Sequence, residues 1–365
     1  MLDPRIYRTG LAVVAMAVLV LAFSLENQQG GVTSSLAPDA FNGQNVYTDM
    51  VSMGGTNGVG DRRPGSAGDD SMASSVAASF RGYGFAVTTD AFSGETADGA
   101  RTLENVIATR PGIESGSIVI VAHRDARASP STASLSGTAT LVELARDLAG
   151  ETLHRTVVLA STTGSQGTAG ALRLASTLSG PVDAVLVLGD LVSRHVHQPI
   201  VVPWSTSSRV ASPRLRNTVA GELNQQASLS AGGASMFGQF LHLAFPLTVS
   251  EQAPFGSHGI PAVLISLSGE RGPAPGATLA GVDQLNAVGR AVLATISALD
   301  SGPDVPAASA YVLLDGKVVP GWAISVFVLA LLVPVLLTTI DGLARARRRG
   351  HPVWRWLVLT LLAAV

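Results

Sequence analysis

The sequence predicts an α/β fold: a mainly parallel, twisted sheet with helices on both faces, flanked by transmembrane helices. Three observations carry this. Between residues 39 and 301, short β-branched runs alternate with helical runs. Those short runs are apolar at nearly every position, as in strands covered on both faces, rather than at alternate positions. Two longer, uncharged apolar stretches lie outside that segment, one near the N-terminus and one after residue 319.

In chain order, residues 1–8 form a short cytoplasmic N-terminus carrying Arg5 and Arg8, and residues 9–25 are an uncharged run. That run reads as a signal peptide or a membrane anchor. It lacks a small-x-small cleavage site after its apolar core, so an uncleaved anchor is expected. Residues 26–38 are polar and rich in Gly, Ser and Gln, and read as a linker. Ser71 to Phe80 is a helix, with Met72, Val76 and Phe80 on one face, Asp69 and Asp70 at its start, and Gly82 and Gly84 stopping it. Strands are expected at Phe85–Thr88, Asn105–Thr109, Ser117–Ala122, Thr156–Ser161, Ala184–Leu188 and Ala262–Ser266. Thr138–Leu148 is helical, with Leu141, Leu144, Ala145 and Leu148 on one face, and so is Val282–Leu299. The juxtamembrane segment 302–319 holds Asp315-Gly316 between apolar pairs, a hairpin signal. Residues 320–340 are long enough to span a bilayer. The loop 341–352 is basic, with Arg345, Arg347, Arg348 and Arg349, and residues 353–365 begin a further apolar run. Arginines beside both spans place those flanks in the cytoplasm, so the domain 39–301 faces outside. A bacterial cytoplasmic membrane is the expected setting.

Composition excludes several classes. The net charge is −2, and no basic-aromatic stripe offers a nucleic-acid surface. The chain has no cysteine, hence no disulfide, thiolate metal site or cysteine nucleophile. No glycine-rich turn of the dinucleotide-binding kind joins a strand to a helix. No internal repeat is visible.

The chemistry-bearing residues gather around His123-Arg124-Asp125 at the end of an apolar strand. In open α/β sheets, ligands bind at such ends. Around it lie Arg62-Arg63-Pro64-Gly65-Ser66-Ala67-Gly68, Asn105-Val106-Ile107-Ala108, Ser136-Gly137, Pro254-Phe255 and Gly259-Ile260-Pro261-Ala262. In this order and spacing the motifs resemble the co-catalytic zinc aminopeptidase family. Its relatives include glutamate carboxypeptidase, the transferrin receptor ectodomain and nicastrin. The resemblance covers about residues 39 to 299. It implies that His123 occupies a zinc-ligand position, that Asp125 orients it, and that Asp190 holds a second ligand position.

The departures bear on activity. Ala133 stands where the resemblance places the bridging Asp. Gly164 and Ser165 hold the places of the general base and a ligand Glu. Ser250-Glu251-Gln252 replaces the family's Ser-Asp-His, and Gly269 to Gly276 lacks the final His. A hydrolytic zinc site needs about three protein ligands and an open position for water. Two remain here. His195 and His197, with Asp190 or His123, are alternative metal donors, His258 lies near the expected cleft or in an ordinary loop, and Ser165 or Ser136 with His123 is an alternative nucleophilic device, without a Gly-x-Ser-x-Gly elbow.

The expected function is a membrane-tethered, non-catalytic peptidase-like ectodomain, with Asp125, His123 and Asp190 vestigial and no cofactor. It would bind a peptide, a cell-envelope component or a partner membrane protein, and no nucleic acid. The alternative is a membrane-bound metallo-aminopeptidase with an altered zinc site.

Overall fold

The computed structural model describes residues 4–34, 39–54, 62–126, 132–350, and positions 354 and 358. The rest of the apolar run 353–365 lies outside the described residues. The chain divides into two compact units, one of residues 28–310 and one of residues 1–27 with 311–365.

Helix α1 spans Pro4–Phe23 and leads into the two-residue strand β1, Glu26–Asn27. The larger unit then runs through α2 (Gly43–Gly54), α3 (Ala67–Gly82), β2 (Ala86–Thr96), β3 (Gly99–Arg110) and β4 (Ser117–His123). It continues with α4 (Ser136–Asp147), β5 (Thr156–Thr162), α5 (Ala169–Thr177), β6 (Val182–Leu188) and β7 (Val201–Val202). Helices α6 (Pro213–Ala227), α7 (Met236–Ala244) and α8 (Gln252–Ser257), strand β8 (Ala262–Ile265) and helix α9 (Val282–Ser301) complete it.

The sheet order is β2-β3-β5-β4-β6-β8-β7. The central strands β5, β4, β6 and β8 are parallel. The edges are not: β2 and β3 form an antiparallel hairpin joined to β5, and β7 pairs antiparallel with β8. The all-apolar runs predict the parallel centre. The edge hairpin is longer than expected because its far end is exposed and polar on both faces, leaving no hydrophobic signal to read.

Side chains alternate between two cores, as the period of a strand requires. Ile118, Ile120 and Ala122 of β4 and Ala184, Leu186 and Leu188 of β6 face a layer that includes Val46, Val76, Leu144, Leu215 and Val292 of the helices. Val119, Val121, Val185 and Val187 face the opposite layer, with Leu174 of α5 and Phe255 of α8. Helices therefore cover both faces. Helix α3 begins where Ser66 accepts a hydrogen bond from the Asp69 amide, 3.3 Å. The segment read as a linker is tied down over much of its length. The Val32 amide donates to Thr218 (2.9 Å), and Ser34 to Glu222 (3.2 Å), both on α6.

In the smaller unit, β9 (Tyr311–Leu314) and β10 (Lys317–Pro320) form the expected hairpin about Asp315-Gly316, whose φ values are +46° and +74°. Helix α10, Gly321–Arg348, is long and apolar enough to cross a membrane. By the same criteria α1 contains only a shorter apolar helix, Arg8–Phe23. The two helices pack with Gly10 against Pro334, and Phe23 and Trp322 line one cleft, so they run antiparallel.

Candidate functional site

The chain leaves β4 for β5 on one side and then crosses through α5 to β6 on the other. This reversal opens a crevice at the carboxyl end of β4, the place where doubly wound sheets bind ligands. His123 is the last residue of β4, in register with Thr162 of β5.

The His123 side chain is 23% exposed, and its Nδ1 lies 3.1 Å from Glu251 Oε2. Glu251, buried just before α8, also accepts a hydrogen bond from the Thr162 hydroxyl at 2.8 Å. Burial disfavours the imidazolium, but the hydrogen bond and charge of Glu251, joined by the charge of Asp125, outweigh it. The His123 pKa is raised above its ordinary value. Asp125 is buried and accepts from the Ser165 hydroxyl (2.8 Å) and the Ser165 amide (3.1 Å). Burial, with the nearby negative charges of Glu251 and Asp69, pushes its carboxyl up to about 6, against the pull of His123 and the Ser165 bond.

Arg124, between these two residues, points into the interior and is fully buried. Its Nε lies 2.9 Å from Asp69 Oδ1, and its guanidinium donates to the carbonyls of Ser161 (3.0 Å) and Glu104 (2.5 Å). Asp69 in turn accepts from the Thr163 hydroxyl (2.5 Å) and the Gly65 amide (3.0 Å). Arg62 donates to the Arg124 carbonyl (3.1 Å) and to Ser134 (3.2 Å), and burial lowers its pKa to about 10 despite Asp125 and Asp69. The Arg-Arg-Pro-Gly-Ser motif thus braces the strand-end loop: Gly65 takes φ +70° and Ser66 caps α3.

Asp190 lies two residues past β6, and its carboxylate is engaged locally. It accepts from the amides of Val192 and Ser193, both 3.0 Å, and from the Ser268 hydroxyl. Ala133 is buried and offers no side-chain donor. Gly164 is also buried, at φ +73°, where an added Cβ would sit 3.1 Å from Ala169 and from Leu103. A glutamate there would be strained. His195, His197 and His258 are exposed, and Ser165 and Ser136 bond to Asp125 and to the Ala133 carbonyl rather than to His123. Among the described residues, no group of three or more His, Asp or Glu side chains is arranged to hold a metal ion. The donor set therefore does not fit the two-zinc centre that the family resemblance implies.

Glu251, Asp69 and Thr162 are the site residues that the sequence reading left out. Glu251 had a signal, since it retains an acid within the altered Ser-Asp-His stretch.

No protein-family profile and no curated protein matches the sequence. Solved structures do match its fold. The aminopeptidase from Aneurinibacillus sp. strain AM-1 aligns with a TM-score of 0.59 at 12% identity, over 74% of this chain and 96% of that one. BSAP, a zinc aminopeptidase from Bacillus subtilis, aligns with a TM-score of 0.56 at 12% identity, over 70% and 94%. The Porphyromonas gingivalis glutaminyl cyclase aligns with a TM-score of 0.53 at 19% identity, over 71% and 98%. The chain therefore has the fold shared by zinc aminopeptidases and glutaminyl cyclases.

Proposed function

We propose that this protein is a membrane-tethered, non-catalytic peptidase-like domain that acts by binding, alone or as a subunit of a membrane complex. One observation carries the reading: polar groups at the strand ends are taken up by one another. Glu251 engages His123 and Thr162, Ser165 engages Asp125, and Asp190 is consumed by two amides and Ser268. Catalysis requires donors aimed at a substrate or an attacking water, and these are aimed inward. The left-handed Gly164 supports the same reading, because its backbone disfavours the missing base.

Helix α10 with the arginines at its C-terminal end supports a span with a cytoplasmic C-terminal flank, and Arg8 near the start of α1 supports the same side for the N-terminus. The domain then faces outward at a bacterial cytoplasmic membrane. Its ligand is a peptide, an envelope component or a membrane protein. The test uses the full chain in detergent or nanodiscs, assayed on aminoacyl anilides and short peptides with and without added zinc. No turnover in either condition supports the proposal. Zinc-dependent release of amino acids, abolished by chelation, overturns it.

A further inference from the structure

Helix α7 has no buried residue. Met236, Phe237, Phe240 and Leu241 are exposed on it, and Phe245, Leu247 and Val249 are exposed directly after it. Phe237 is 76% and Leu247 75% open. Between Glu222 and Glu251 the chain contains no Asp, Glu, Lys or Arg. A contiguous apolar patch of this kind marks an interaction surface rather than chance exposure. It is held in place from behind. His242 stacks on Trp204 with centroids 4.2 Å apart, and the Thr248 hydroxyl donates to Glu270 at 2.5 Å.

We propose that α7 and residues 245–249 insert into the interface of a lipid bilayer, as a second membrane contact in addition to the span α10. Three features favour lipid over protein. Protein interfaces carry about one hydrogen bond per 100–200 Å², and the exposed face of α7 presents Met, Phe and Leu with almost nothing to donate or accept. A cation lies near the far end of the segment: exposed Arg271 follows the Glu270 that holds Thr248. An exposed guanidinium near an apolar segment suits the phosphates of lipid headgroups. A helix able to cross a membrane begins at Gly321 of the same chain, so a bilayer is within tethered reach.

The inference rests on the membrane reading of α10, and the experiment separates the two. These 365 residues contain no cysteine, so single cysteines can be placed by Phe237→Cys, Leu247→Cys, Leu332→Cys in α10, and Ala97→Cys in the exposed β2–β3 turn. Each full-length variant is labelled with an environment-sensitive fluorophore in nanodiscs containing nitroxide lipids. Quenching at positions 237 and 247 by shallow nitroxides, several-fold above position 97, is expected. Quenching no stronger than at position 97 overturns the proposal. A blue-shifted probe at 237 without lipid quenching also overturns it, in favour of a protein partner or a second copy. Failure of deep nitroxides to quench position 332 refutes the span, while positions 237 and 247 still decide the insertion.

Discussion

Replacing Asp125 by asparagine is expected to stabilise the protein at alkaline pH and to leave it nearly unchanged in acid. The carboxyl is buried behind His123, and its pKa is raised from 3.8 to about 6. A folded-state value above the unfolded one means that the unfolded chain releases this proton first as pH rises. Stability is therefore lost through the window from 3.8 to about 6, and the full cost is present above it. At 1.36 kcal/mol per unit, that cost is about 3 kcal/mol. Asparagine keeps an oxygen for the two Ser165 donors and removes the charge, so about 3 kcal/mol is the upper bound of the gain. Urea unfolding reads it: with a slope of roughly 2–3 kcal/mol/M, the midpoint rises by up to about 1–1.5 M at alkaline pH. At about pH 4 the midpoint should scarcely move. In a working metal site the same change removes the group that orients a ligand histidine, and costs metal and activity. A midpoint that falls equally at both pH values would refute the reasoning.

Other outcomes follow from the same contacts. Arg124→Leu leaves Asp69 charged and buried, and should lower stability by about 3–5 kcal/mol in the same urea assay; a loss below about 1 kcal/mol contradicts the pairing. Glu251→Gln removes the charge that favours the His123 imidazolium, so the histidine pKa read by NMR titration should fall, and an unchanged value refutes the contact. Gly164→Glu restores a carboxylate at the family's base position but places it at φ +73° against Ala169 and Leu103. It should destabilise by about 1–3 kcal/mol and yield no peptidase activity.

Much of the fold was legible because its signals are local. The apolar runs of β4 and β6 are buried on both faces, the amphipathic stripe of α9 matches its burial, and Asp315-Gly316 supplies the left-handed pair a tight hairpin needs. Helix α2 was missed because its apolar residues do not keep to one face, Val51 being exposed while Val46 and Met50 are buried, and α7 because it is nearly apolar all round and has no buried face to read. At the site, the strand-end positions of His123, Asp125 and Asp190 were legible, since each ends or follows an apolar strand. Their partners were not. Glu251 meets His123 across 128 positions, and Asp69 meets Arg124 across 55. The partners of Asp190 are local instead: its carboxylate caps a turn through Val192 and Ser193, a use common for aspartate.

The central claim is that these strand ends are satisfied internally and do not form a metal centre. Elemental analysis of the full-length protein, purified without chelators and dialysed against zinc, tests it most directly. The account predicts that zinc stays far below one ion per chain and that thermal stability does not rise with added zinc. Stoichiometric zinc, lost together with a rise in unfolding temperature when His123 is replaced by alanine, would contradict it.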